Sequence, residues 1–199
     1  MSAIRAMLRP ALGRSEAGRL SLRANFSWTF AGNVVFAACQ WGMLTVLAKL
    51  GTPQAVGEFS LGLAVGAPVM MLANLQLRAV QATDARREYA FGDYLALRLA
   101  TTVLAYAIII GIALTAGYSA EVIWVVLALG LQKCFQSLSD VYHGLLQHRE
   151  RMDRIARSLL LKGPLSLGAL AVTFACTRSV AWAAVATALA YAMVWWGYD

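Results

Sequence analysis

The stretch LATTVLAYAIIIGIALTAGYSA, residues 99–120, contains no charged residue. A run of that length suits a lipid-crossing helix, because about 20 residues at roughly 1.5 Å rise cover the roughly 30 Å hydrocarbon layer. Inside that layer no water can satisfy the backbone, so the segment must bond to itself as a helix. Residues 24–48, 59–77 and 179–198 are equally free of charge. Two weaker runs complete the series: residues 122–145, interrupted by Lys133 and Asp140, and residues 159–177, which are short unless Lys162 snorkels to the interface. The expected fold is therefore an all-α membrane bundle of about six spans, near 26–48, 58–77, 96–117, 122–145, 159–177 and 179–197.

Composition agrees. Hydrophobic residues make up 60% of the chain and charged residues 14%, with a mean hydropathy of +0.62, against roughly 45–50% apolar in a soluble domain. The net charge of +7 does not read as a nucleic-acid surface, because the basic residues sit between apolar runs instead of sharing one face with aromatics. They read as topology signals. Arg5, Arg9, Arg14, Arg19 and Arg23 form a basic arm over residues 1–23, and Pro10 breaks any helix there. Arg78, Arg86 and Arg87 fill the second connection; Arg149, Arg151, Arg154, Arg157 and Lys162 fill the fourth. The alternate connections hold only Lys49 and Arg178. Positive residues resist translocation, which places both termini of a multi-pass protein in the cytoplasm. Trp28 and the group Trp195, Trp196 and Tyr198 stand where amphipathic rings favour headgroups.

Enzyme chemistry has little support. The sequence has no HExxH, phosphate-binding loop, GxSxG or close cysteine pair. Cys39, Cys134 and Cys176 are scattered in apolar sequence and read as packing residues, and His143 and His148 do not make a metal site by spacing. Neither a metal nor a cofactor is expected. Gly62, Gly66 and Pro68 in the second span allow close helix packing and a kink, or a hinge.

The informative pattern lies in the fourth span. Lys133, Gln136, Asp140, His143 and Gln147 recur at spacings of three and four, which gathers them within an arc of roughly 80° on one helix face. Lys133 and Asp140 lie roughly 10 Å apart along the axis and cannot pair directly, so each needs another partner. The face either hydrogen-bonds to neighbouring helices or lines a substrate or ion pathway. Asn33 and Gln40 form a weaker counterpart in the first span. Arg78 and Arg98 add positive charge near the inner mouth, by snorkelling or by site geometry. Together Arg78, Arg98 and Lys133 are candidates for a lipid phosphate or pyrophosphate, whose oxygens match guanidinium geometry. Asp140, the acidic residue well inside a span, is the candidate for coupling a proton or cation.

The segment LQLRAVQATDARREYAFGD (residues 75–93), with YLALR after it (94–98), resembles the O-antigen type polysaccharide flippases of the multidrug, oligosaccharidyl-lipid and polysaccharide exporter superfamily. NFSWTFAGNVVFAACQWGMLTVLAKLG (25–51) and VGEFSLGLAVGAPVMM (56–71) resemble that family's first two helices. The resemblance implies a transporter that moves an undecaprenyl-pyrophosphate-linked oligosaccharide across the inner membrane by alternating access between two six-helix lobes. About six helices correspond to the N-terminal lobe alone, which implies a second lobe from another chain or from self-association. Alternatives are a drug or other solute exporter of the same architecture, or a truncated, non-transporting membrane remnant.

Overall fold

The computed structural model describes residues 21–83 and 90–199. Most of the basic arm and Arg86 and Arg87 fall outside those residues. The described chain is helical: α1 (Leu22–Leu50), α2 (Pro53–Ala73), the short α3 (Leu77–Thr83), α4 (Phe91–Thr115), α5 (Ala120–His148), α6 (Met152–Thr177) and α7 (Val180–Gly197). Six helices, counting α2 and α3 together over Pro53–Gln81, are long and apolar enough to cross a membrane. The protein is a multi-pass helical membrane protein.

Local chemistry sets the helix starts. Ser21, Thr52, Ser119 and Ser179 stand one residue ahead of α1, α2, α5 and α7, and each side chain accepts a bond from a backbone N–H of the first turn, satisfying a donor that the helix cannot. Pro53 follows Thr52 at the first helical position, where its missing N–H costs nothing. Helix α6 starts at Met152, earlier than the span expected from about residue 159.

Helix α5 is the hub. It packs on α2, α3, α4 and α7, while α6, its successor in sequence, packs mainly on α1 and α7. Helices α1 and α6 run in the same direction: Gly32 lies against Ala156, Gly42 against Leu167 and Gly51 against Phe174. A Cβ on Gly32 would stand 2.9 Å from the Ala156 Cα, so only glycine lets these backbones approach so closely. Gly62 serves α2 similarly, since a Cβ there would meet Leu129 Cδ1 at 2.7 Å, whereas Gly66 has ordinary clearance from Gly130. The packing reading of that glycine pair therefore rests on Gly62.

The core divides along the bundle axis. Towards the end where α1 finishes, Met43, Leu47, Phe59, Leu129, Leu170, Phe174 and Ala183 form an apolar cluster shared by five helices. Met70, Ala105, Ile109 and Val126 join α2, α4 and α5. At the opposite end, where α1 begins and α7 finishes, polar residues replace this filling.

Candidate functional site

The polar arc of α5 opens into a cavity of about 260 Å³. Gln136, Ser139, Asp140 and His143 of α5 form one wall, with Thr29 and Asn33 of α1 opposite. Arg78 of α3, Lys162 of α6 and Tyr191 of α7 complete its polar lining. A second, shallower groove of about 120 Å³ lies between α2 and α5, and it shares Gln136 and Asp140 with the cavity while adding Asn74, Lys133 and Ser137. The α5 arc is thus the floor of a cleft with α1 and α6 on one side and α2 and α3 on the other.

A break in the second crossing supplies Arg78. Helix α2 stops at Ala73, five residues beyond Pro68, and Leu75 and Gln76 adopt left-handed φ values of 47° and 52° before α3 resumes. Non-glycine residues pay for that conformation with of order 1–3 kcal/mol each, so the surrounding packing must impose it. The consequence is functional geometry: Arg78 Nη1 lies 3.3 Å from Asp140 Oδ1, and Arg78 Nε donates to Gln147 Oε1 at 3.1 Å. Both ionic side chains remain partly open, at 37% and 30% exposure.

Behind this pair the ionic chain continues into the protein. His143, buried on α5, sits between two carboxylates, with Nδ1 3.9 Å from Asp140 Oδ1 and Nε2 3.5 Å from Asp199 Oδ1. Its Nε2 is also 3.2 Å from Ser158 Oγ. Lys162 donates to Ser139 Oγ at 2.6 Å and forms an ion pair with Asp199. Lys162 and Asp199 are each only 2% exposed at the side chain. Burial by itself raises the Asp199 carboxyl, but the bonds from His143, Lys162 and Ser139 outweigh it and hold that group below the usual carboxylate range.

Several sequence expectations change here. Lys162 does not reach an interface: it is buried, and α6 extends a further ten residues before it. Asp199 joins the site although no periodic pattern in the sequence marks it. Arg98 does not join Arg78 and Lys133, because it is 1% exposed and donates to the Asn74 carbonyl at 3.1 Å and to the Asn74 side chain. Asn74 Oδ1 also accepts from Ser137 Oγ at 2.9 Å, and Ser137 lies 3.1 Å from Thr102 Oγ1. Arg98 is therefore an interior tie between α2, α4 and α5, although its Nε is buried without a partner. Lys133 finds its partner within α5, donating to Gln136 Oε1 at 3.1 Å. Asn33 reaches the cavity while donating to the Thr29 carbonyl at 2.7 Å, and Gln40 lies deeper, donating to the Tyr191 hydroxyl at 2.8 Å.

Comparison with known proteins gives one informative similarity. The chain is 26% identical over 143 residues to the capsular polysaccharide biosynthesis protein CapF of Staphylococcus aureus, a match that covers 72% of this chain and 35% of CapF. The chain thus spans about a third of the length of the curated relative it matches. No family model matches, and no solved structure matches.

Proposed function

We propose that this chain is one lobe of a membrane transporter that moves a lipid-linked oligosaccharide, of the undecaprenyl-pyrophosphate type, across the inner membrane for polysaccharide synthesis. The observation that carries the reading is the charged cavity on α5, built into helices whose other surfaces are apolar. Ionic groups facing hydrocarbon cost a few kcal/mol or more each, so their concentration on one cleft needs a polar occupant. A sugar and pyrophosphate headgroup is such an occupant, and its polyprenyl tail can remain in lipid. The similarity to a capsular polysaccharide biosynthesis protein supports the substrate class.

In this reading Arg78 and Lys133 meet the pyrophosphate from the two sides of Asp140, with Arg78 exchanging its contact with Asp140 for phosphate oxygens. Asn33 and Gln136 offer amides to sugar hydroxyls. Release of Asp140 from Arg78 makes its carboxylate available to a proton or cation, the coupling step. The cavity volume of about 260 Å³ falls below the roughly 300–1,000 Å³ of complete ligand pockets. One lobe therefore holds only part of the headgroup, and a second lobe, from another polypeptide or a second copy, closes the cleft. The arginine-rich connections support a cytoplasmic placement of both ends.

The test is transfer of a fluorescent polyprenyl-pyrophosphate oligosaccharide between leaflets of proteoliposomes holding the chain with its partner lobe. Transfer above protein-free vesicles, lost in Arg78→Gln, is expected. A drug-like amphipathic cation transported in place of the saccharide would overturn the substrate assignment.

A further inference from the structure

A third pocket, of about 410 Å³, lies on the far side of Asp199 from the cavity, where α5 ends, α6 begins and α7 ends. Arg149, Arg154 and Arg157 line it together with Tyr142, Leu145 and Tyr198. None of these arginines has a carboxylate partner among the described residues, in contrast to Arg151, which holds Asp153 through two bonds of 3.0 and 3.1 Å. Arg157 is steadied by the ring of Trp28, 5.7 Å from its guanidinium carbon. Asp199, the one acid among the described lining residues, is engaged from the cavity side by Lys162 and His143, so it does not neutralise the trio.

We infer that this pocket is a phosphate site for the headgroup of an anionic membrane lipid, separate from the transport cavity. Its position fits: the ends of three spanning helices meet there, and the last turn of α7 carries Trp195 and Trp196, at the level where lipid phosphates lie and aromatic rings settle. Three guanidiniums with no carboxylate partner among the described residues match phosphate oxygens in charge and geometry, and basic pockets between spanning helices are a recurrent form of lipid-headgroup site. Leu145 and the tyrosine rings supply an apolar floor for the glycerol and the first acyl carbons. A soluble phosphate offers the same chemistry, and the experiment separates the two sources.

The 199-residue chain is purified in detergent, stripped of lipid and examined by native mass spectrometry with added phosphatidylglycerol, phosphatidylcholine or inorganic phosphate. Retention of phosphatidylglycerol over phosphatidylcholine is expected, falling roughly tenfold or more in a variant carrying Arg149→Gln, Arg154→Gln and Arg157→Gln. A variant with Arg149→Gln and Arg154→Gln alone keeps the Trp28 contact and shows the loss even if the triple variant folds poorly. Lys49→Gln, exposed at the opposite end of the bundle in the last turn of α1, leaves retention unchanged. Arginine-dependent binding of inorganic phosphate with no lipid preference would overturn the lipid source. Equal retention of both lipids, or retention indifferent to the arginines, would overturn the site.

Discussion

Replacing Lys162 by methionine keeps the length of the side chain and removes its charge, leaving Asp199 buried with the His143 ring at 3.5 Å and no lysine partner. Removing one partner of a buried pair typically costs about 3–5 kcal/mol, because the surviving charge is left without compensation. At about 2–4 °C per kcal/mol for a chain of this size, the midpoint should fall by about 6–20 °C. Had Lys162 reached the headgroups, the loss would be about 0–1 kcal/mol, as for an exposed ion pair. Thermal unfolding in detergent, followed by the monodisperse fraction surviving heat, measures the difference. A second variant, Lys162→Met with Asp199→Asn, removes both charges and should recover at least half of the loss, since a pair deleted together leaves no orphan. A midpoint within about 2 °C of the parent for Lys162→Met, or a double variant no better than the single, would refute the buried pair.

Other expectations follow from the same geometry. Arg78→Gln should change stability by less than about 1 kcal/mol, because its pair with Asp140 is partly solvated, yet it should abolish stabilisation by saccharide ligand; a large loss of midpoint would show a structural role instead. Gly32→Leu should lower the midpoint by an amount equivalent to about 1–3 kcal/mol through collision with the Ala156 backbone, while Gly168→Ala, with nothing within 4 Å of a new Cβ, should be neutral or slightly stabilising. The folded carboxyl of Asp199 titrates below its unfolded value, so its contribution is present above the ordinary carboxylate range and is lost as pH falls below that range. Midpoints measured down the acid limb should therefore fall less steeply in Asp199→Asn than in the parent. Single cysteines placed at Arg151 and at Tyr118 in a chain lacking its own three should label from opposite sides of the membrane, with Arg151 on the cytoplasmic face.

Much of this fold is legible in one dimension because lipid imposes a length, a polarity and a backbone-bonding rule on every crossing. The charge-free runs announce the helices, and the three-and-four spacing from Lys133 to Gln147 announces the polar face of α5. Pairing across the bundle is less legible. Nothing local links Arg78 to Asp140, 62 positions away, or reveals that the Leu75–Gln76 break turns Arg78 into the cleft. Lys162 reads as the edge of a span because Arg154 and Arg157 precede it in sequence, yet α6 begins at Met152 and Lys162 lies buried within the bundle. A signal did exist: Arg98, Lys133 and Lys162 in the crossings outnumber Asp140, and that imbalance requires another acid nearby. Asp199 is that acid, and its position beyond any periodic pattern hid it. Arg98 illustrates the converse, since its partner Asn74 sits in a helix end whose side chain gave no periodic signal.

The most direct test of the proposed cavity is ligand-dependent thermal stability of the chain with polyprenyl-pyrophosphate oligosaccharide, compared with the free oligosaccharide and with polyprenol. At about one hundred times the dissociation constant, binding to the folded state alone adds about 2.7 kcal/mol, a rise of about 5–11 °C. The account predicts that rise for the complete lipid-linked saccharide and its absence in Arg78→Gln. An equal rise with polyprenol, or an undiminished rise in Arg78→Gln, would contradict it.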